Sequence, residues 1–179
     1  MVTQQQNRGG DPREPAVWEA LASVADPEIP AVSVVELGVI HSVAFGGAHG
    51  EHLRVELMPT FVGCPAIEVM RQAIGERLRD HAAEVEVAVS FAEPWTSDRI
   101  TPEGRRKLRE SGFAPPISMP EPGTGSLVQL LPTITLHSAE CPHCGSRGTT
   151  LENAFGPTLC RAIYYCNSCR QPFEQFKSV

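Results

Sequence analysis

The chain of 179 residues lacks several features that would place it in a common functional class. No apolar run approaches the roughly 18 residues that span a bilayer, and the polar segment 1–10 has no apolar core like that of a secretory signal. The net charge of −6 leaves no basic excess with which to grip a phosphate backbone. A Gly-x-Gly-x-x-Gly fingerprint is absent, so no flavin or nicotinamide site is evident. We expect a cytoplasmic protein with no membrane or nucleic-acid partner.

What the sequence does contain is the hydrophobic patterning of a small α/β domain. A helix is predicted over 15–24, where Val17, Leu21 and Val24 share one face. The clearest helix covers 65–80, with an apolar stripe that includes Val69. Alternation of apolar and polar residues predicts three strands, over 38–45, 53–57 and 85–89. A capped helix is predicted after them, over 101–110. The first two strands are expected to form a hairpin.

Composition divides the chain into four segments of different character. Residues 1–13 are predicted to be a disordered lead, and 14–115 the α/β domain, with a mixed three-stranded sheet and helices. A Pro/Gly-rich linker over 116–130 follows. Residues 131–179 are predicted to form an all-β ribbon, whose first strand would lie in the apolar stretch 127–136. The predicted fold class is therefore α+β.

Four of the six cysteines have the spacing of a metal site. Cys141 and Cys144 form one Cys-x-x-Cys pair, and Cys166 and Cys169 form a second. Four thiolates close a tetrahedral shell, which predicts one structural zinc ion with no open position for catalysis. Iron accepts the same four thiolates, so the spacing alone leaves iron open as an alternative.

The two remaining cysteines lie outside these pairs. Cys160 precedes the second pair by six residues and is either a small buried thiol or an additional functional one. Cys64 stands directly before Pro65, a residue that suits the first position of the following helix. Cys64 would then be the N-cap, where backbone N–H groups and the helix dipole favour a thiolate able to ligate iron. A buried corner residue is the alternative.

Two carboxylates lie in a rigid loop near the start of the domain. Asp26 and Glu28 belong to the segment Asp-Pro-Glu-Ile-Pro, in which two prolines stiffen a turn. They could assist a reactive cysteine in holding a metal, or they could serve only to build the turn.

Several of these motifs together resemble a known family. The segments 26–30 and 37–40 resemble the opening of SufT-like iron–sulfur-assembly domains, and Thr60 to Pro65 is similar to their Thr-x-Cys-Pro loop with extra residues inserted. Residues 94–100, Gly104, Arg105 and Leu108 resemble the closing segment. Adding the ribbon segments 141–146, 155–160 and 164–177 makes nearly the whole chain similar to the PaaD family, accessory components of the bacterial phenylacetyl-CoA epoxidase.

The resemblance implies an accessory role in metal-centre assembly. Cys64, with Asp26 and Glu28, would handle iron or a transient iron–sulfur cluster. The partners would be oxygenase or reductase subunits of the epoxidase, the general iron–sulfur assembly machinery, and a second copy in a homodimer. The residues themselves argue against the oxygenase subunit, because a diiron site needs paired Glu-x-x-His motifs and the one present, Glu140 to His143, lies inside the ribbon's cysteine pair.

Two other functions remain as alternatives from sequence. A rubredoxin-like electron carrier would hold iron in the four-cysteine site. A zinc-ribbon binding module would bind nucleic acid, although basic and acidic residues nearly balance after residue 137.

Overall fold

The computed structural model describes residues 11–61, 63–116 and 139–177. The chain divides after Ser111 into two compact units, 1–111 and 112–179, and each is described by itself. Across these three described ranges, no helix has both the length and the apolar character needed to cross a membrane.

The first unit combines three strands with three α-helices. Its elements in chain order are α1 (Glu14–Ala22), β1 (Ile40–Gly46), β2 (His52–Leu57), α2 (Ala66–Leu78), β3 (Glu84–Val89), a short 3₁₀ helix (Ser97–Arg99) and α3 (Pro102–Glu110). The helix and strand types agree with the sequence prediction, and their ends differ from it by a few residues.

The sheet of the first unit has the order β1-β2-β3. β1 and β2 form the predicted antiparallel hairpin, whereas β2 and β3 are parallel and are joined through α2, because parallel strands need a long crossover. The predicted mixed three-stranded sheet is therefore confirmed. Central strand β2 buries Leu53, Val55 and Leu57 on one face, as its period-two pattern requires.

Helix α2 covers this sheet with a narrow stripe. The buried side chains follow one another at every fourth position: Ala66, Met70, Ile74 and Leu78. The prediction that Val69 shares this stripe is wrong, since its side chain is 52% exposed. A helical neighbour of Met70 is rotated by about 100° from it, so Val69 turns to the flank of the helix.

The segment before β1 is held by the segment after β3. Trp95 donates its indole N–H to the Leu37 carbonyl at 3.1 Å, and Arg99 Nε donates to the Gly38 carbonyl at 3.0 Å. Gly38 has φ +67°, and a Cβ at this position would lie 2.4 Å from the Arg99 carbonyl oxygen. Only glycine allows this approach, which fixes where β1 begins.

The second unit is a four-stranded sheet of order β4-β7-β6-β5. Its strands are β4 (Phe113–Ala114), β5 (Thr149–Asn153), β6 (Arg161–Cys166) and β7 (Pro172–Phe176). β4 lies within the range predicted for the first domain, yet it pairs in parallel with Glu174 and Gln175 of β7. The predicted strand in 127–136 falls outside the described residues.

Among residues 112–116 and 139–177, the core cluster of the second unit is small. The rings of Tyr164 and Phe173 stack with centroids 5.8 Å apart, and the buried residues around them are mostly alanines and metal-site cysteines: Ala114, Ala139, Cys141, Ala162 and Cys166. The few large side chains of this described cluster bury little apolar area, so a metal held by its cysteines would add a stabilising cross-link.

Candidate functional site

The four predicted ligand cysteines converge at one end of the ribbon sheet. Cys141 and Cys144 precede β5, Cys166 ends β6, and Cys169 lies in the turn before β7. Their sulfur atoms all lie within 4.8 Å of one another, with Cys141 to Cys169 and Cys144 to Cys166 each at 3.6 Å. A zinc–sulfur distance of about 2.3 Å in a tetrahedron places sulfurs about 3.8 Å apart. The four thiols therefore fit one tetrahedral ion, either zinc or iron.

The two cysteine turns have the same backbone design. In the first, the Cys141 N–H donates to the Ser146 carbonyl and the Gly145 N–H donates back to the Cys141 carbonyl, both at 2.9 Å. In the second, the Cys166 N–H donates to the Gln171 carbonyl at 3.0 Å, and the Arg170 N–H donates back to the Cys166 carbonyl at 2.9 Å. The residue after each second cysteine has a positive φ, +73° at Gly145 and +58° at Arg170.

Electrostatics differ among the four thiols. Backbone N–H groups of Cys169 and Ser168 lower the pKa of Cys166 to about 6, whereas desolvation and the neighbouring cysteines raise the pKa of Cys169 to about 12. Burial raises the pKa of Cys141. The Cys166 thiolate thus forms readily near neutral pH, whereas Cys141 and Cys169 release their protons when a cation compensates their charge. Metal binding and proton release are coupled at this site.

Cys160 lies away from these four sulfurs, in the loop between β5 and β6. Its sulfur is 3.1 Å from Thr158 Oγ1, and its carbonyl accepts a 2.8 Å hydrogen bond from the Lys177 N–H at the end of β7. Among the described residues, the group of possible metal ligands contains the other four ribbon cysteines and leaves out Cys160. Its contacts hold the loop between β5 and β6 against the end of β7.

Cys64 occupies the loop that leads from β2 into α2. The helix begins at Ala66 with Pro65 as its N-cap, so the prediction that Cys64 is the N-cap is wrong by one residue. Pro65 itself has helical dihedral angles, and the Cys64 carbonyl accepts the Ile67 N–H at 3.3 Å. The side chain is partly buried. Cys64 therefore stands immediately before the first turn of α2.

The loop that carries Cys64 lies at the end of the sheet where ligand sites of α/β proteins are commonly found. Parallel strands β2 and β3 end side by side, with Leu57 paired to Val89, and the antiparallel β1 starts at the same edge, with Ile40 paired to Leu57. The loop that carries Cys64 leaves from this edge. Ligand sites in open α/β sheets lie at the carboxyl ends of parallel strands.

Asp26, one of the two loop carboxylates, has a structural role that the sequence left open. Asp26 is buried, and its Oδ1 accepts hydrogen bonds from the N–H groups of Glu28 at 2.8 Å and Ile29 at 2.7 Å. Glu28 is exposed. In the described part of the chain, neither carboxylate joins Cys64 in a group of three or more possible ligands. Asp26 thus builds the turn, and a share of either carboxylate in metal handling stays a prediction.

Arg147 and Arg170 accompany the two cysteine turns, and no role was predicted for either from the sequence. Both side chains are exposed. The signal that could have identified Arg170 is the comparison of the two turns, since glycine follows Cys144 but arginine follows Cys169.

Comparison with known proteins matches both units to described families. Residues 133–177 match the PaaD zinc beta ribbon domain, and residues 14–91 match a family described as iron–sulfur cluster assembly protein. A protein of Escherichia coli (strain K12), whose name describes it as a subunit of 1,2-phenylacetyl-CoA epoxidase, is 36% identical over 169 residues, covering 94% of each chain.

Two solved structures are also similar. A crystal structure of a DUF59 domain from Bacillus anthracis is 24% identical and covers 53% of this chain and 90% of its own, with a TM-score of 0.48. A conserved hypothetical protein from Thermotoga maritima is 29% identical, covers 51% of this chain and 89% of its own, and has a TM-score of 0.43.

Proposed function

This chain belongs to the PaaD family of 1,2-phenylacetyl-CoA epoxidase subunits, and from that membership we propose that it is a non-catalytic factor that assembles an iron–sulfur or iron centre of such an epoxidase. The observation that carries the proposal is that one chain combines two features. Cys64 follows the carboxyl end of a strand in an iron–sulfur-assembly domain, and a closed four-thiol metal site lies in the ribbon. The closed site has no open coordination position for a reaction.

In this proposal Cys64 supplies a single thiolate ligand to iron or to a cluster in transit. A stable cluster is held by four ligands, and the groups brought together around Cys64 in the described residues do not form such a set. A cargo bound through an incomplete ligand set dissociates easily, which suits a carrier that hands it to a client protein. Asp26 and Glu28, or groups of the client or of a second copy, would complete the coordination during transfer.

The ribbon has a different task in the same proposal. Its four thiols hold one zinc ion, and that ion cross-links the two cysteine turns to give a rigid surface beside the small core. We propose that this surface docks the client, either the oxygenase or the reductase subunit. Iron in the same shell would instead make the ribbon an electron carrier, because only iron cycles between oxidation states there.

The test of the first task is transfer to a client. Purified reductase subunit that lacks its cluster is incubated anaerobically with iron, sulfide and the chain, and its cluster content is measured. We expect Cys64→Ala to lower the cluster yield at least about tenfold, since the transferring ligand is lost. Cys160→Ala is the matched control, because it also removes a partly buried thiol and should retain the yield. A wild-type yield from a folded Cys64→Ala protein would contradict the proposal.

The metal of the ribbon is tested separately. The chain is purified anaerobically, its metal content is measured, and its ultraviolet–visible spectrum is recorded. One zinc per chain and no visible absorption support the docking role. Iron with thiolate-to-iron absorption that bleaches on reduction would favour the electron carrier instead.

A further inference from the structure

The most exposed large apolar side chain among the described residues is that of Phe91, which is 65% exposed. It begins a Phe-Ala-Glu-Pro segment, residues 91–94, in which all four residues are exposed and which we call the Phe91 segment. The segment directly follows Ser90, the first residue after β3. A single exposed apolar side chain is ordinary on a protein surface, so its position and rigidity decide whether Phe91 has a role.

Hydrogen bonds fix the chain on both sides of the Phe91 segment. Before it, the Ser90 N–H donates to the Leu57 carbonyl at 2.7 Å, which continues the pairing of β3 with β2. After it, Trp95 is buried and donates its indole N–H to the Leu37 carbonyl at 3.1 Å. Phe91 is therefore presented from a short segment that is held at both ends, and this limits the conformational entropy that the segment loses on binding a partner.

The Phe91 segment lies at the same edge of the sheet as the cysteine loop. Leu57, whose carbonyl accepts the Ser90 N–H, is the last residue of β2, and the connection from β2 to α2 carries Cys64. Because β2 and β3 are parallel neighbours, their carboxyl ends meet at one edge. The exposed ring and the partly buried thiol thus belong to connections that leave from two adjacent strand ends. A protein that reaches Cys64 approaches this edge.

The size of the exposed ring indicates what kind of partner it fits. An aromatic side chain buries about 150–250 Å² in full, so the exposed part of Phe91 offers roughly 100–160 Å². A stable interface takes about 800 Å² from each partner, which makes this contact too small to hold a permanent second copy. It fits a partner that binds briefly and leaves. Glu93 is the one charged residue of the Phe91 segment, so the complement is an apolar surface.

We propose that Phe91 is a docking residue, whose ring enters an apolar recess of the client protein and places the client's metal ligands at Cys64. This inference rests on the proposed function, which supplies the client and the transfer. The transfer is a ligand exchange, in which the bond from iron to the Cys64 sulfur breaks as a bond to a client ligand forms, with no change of oxidation state. Phe91 takes no part in that exchange and acts through position alone, as aromatic side chains enriched at interfaces do.

The experiment uses the full-length, metal-loaded chain and two purified probes, the reductase subunit without its cluster and the oxygenase subunit without its iron. Affinity for each probe is measured, and the transfer rate is followed against probe concentration. We expect Phe91→Ser to bind one probe about tenfold more weakly and to need about tenfold more of it for half-maximal transfer, while the rate at saturation stays at the wild-type value. The loss should persist in about 0.5 M salt, because the contact is apolar.

Two further variants serve as controls. Phe91→Leu keeps an apolar contact and should stay within about threefold of wild type. Phe155→Ser is matched in exposure, since Phe155 is 64% exposed. Its loop follows Asn153, at the end of β5 opposite Thr149, which pairs with the metal-site residue Cys166. Phe155→Ser should bind and transfer like wild type. Both serine variants should keep their thermal midpoints, because the replaced side chains are exposed.

The remaining outcomes separate this inference from the assembly function. Wild-type affinity and transfer in Phe91→Ser, with transfer lost in Cys64→Ala, would sink the docking role alone. The docking role would also be wrong if Phe91→Ser lowered the rate at saturation, if Phe155→Ser weakened binding equally, or if light scattering showed that Phe91→Ser dissociates a dimer. Wild-type transfer by Cys64→Ala, or failure of wild type to bind either probe, would overturn both proposals.

Discussion

Single glycines carry part of the first unit's stability. Gly38 combines a φ of +67° with a backbone oxygen 2.4 Å from the position of an added Cβ. Gly38→Ala is expected to lower the free energy of unfolding by about 2–4 kcal/mol, because both the dihedral angle and the contact become strained. Gly75→Ala is the matched control, since an added Cβ there meets nothing within 4 Å and should stabilise α2 by about 0.5–1 kcal/mol. Denaturant unfolding of the two variants measures both changes.

The ligand cysteines should be separable from their neighbour Cys160 by metal content. Cys166→Ser removes one thiolate from the four-sulfur group and is expected to lower bound zinc from one per chain to nearly none after treatment with a chelator, because an incomplete shell is much weaker. Cys160→Ser leaves the group intact and should retain the ion. A zinc content in Cys166→Ser that equals wild type would show that these thiols do not hold the metal.

At the residue scale, the spacing of the cysteines was sufficient to predict the metal site. The spacing of Asp26 and Glu28 was insufficient to predict the role of the acidic loop. Two Cys-x-x-Cys pairs constrain their sulfurs through local turns, so the group could be predicted from sequence. The role of Asp26 depends on the hydrogen bonds that its carboxylate accepts from the N–H groups of Glu28 and Ile29. The same loop sequence is also compatible with a carboxylate that faces solvent, so these bonds could not be predicted. The positive φ of Arg170 likewise became visible only in the backbone angles.

Between elements, one ion pair ties the loop before β1 to helix α3. Glu36 Oε1 lies 2.6 Å from Lys107 Nζ, and Glu36 Oε2 accepts the Ser33 N–H at 2.9 Å. Burial raises the pKa of Glu36, but the bonds from Lys107 and Ser33 outweigh it and hold the pKa below its ordinary value of 4.5. The pair's contribution is therefore present above pH 4.5 and is lost as the pH falls through the lowered pKa.

Glu36→Gln tests this contribution. At pH 7 the free energy of unfolding of the variant is expected to be about 1 kcal/mol lower than that of wild type. The change is modest because the Lys107 side chain is 33% exposed. The two proteins should converge as the pH falls through the lowered pKa of Glu36 and the carboxylate is protonated. Urea unfolding at several pH values measures the difference, with Glu19→Gln on the exposed face of α1 as the control. A constant difference across this pH range would contradict the assignment.

The elements themselves were largely predictable because their periodicity is strong. α2 and the alternating strand β2 have patterns that tertiary contacts reinforce, and the sequence identified both. β4 could not be predicted, since two residues carry no periodicity and only their pairing with Glu174 and Gln175 makes them a strand. Val69 was misplaced because apolar character alone does not say which side of a stripe packs against the sheet.

For the whole molecule, the division into two units predicts two unfolding events. The first unit has a core of large aliphatic side chains, including Leu53, Ile74 and Leu108, whereas the ribbon combines Tyr164 and Phe173 with small residues and cysteines. A chelator should therefore unfold the ribbon and leave the first unit folded, because a bound metal would cross-link the ribbon through its four cysteines and no such group is found among the described residues of the first unit. Hydrogen exchange of the full chain measures this; loss of protection in β1–β3 upon chelation would contradict it.

The pairing of β4 with β7 has a practical consequence for dissecting the protein. Because Phe113 and Ala114 precede the segment 117–138 and still complete the ribbon sheet, a fragment that starts at residue 131 would leave the outer edge of β7 unpaired. An open edge next to Phe173 and Phe176 is a template for intermolecular strand addition, and such a fragment should aggregate during purification. Cutting after Ser111 keeps the edge protected, so an expression fragment of the ribbon should begin at Gly112.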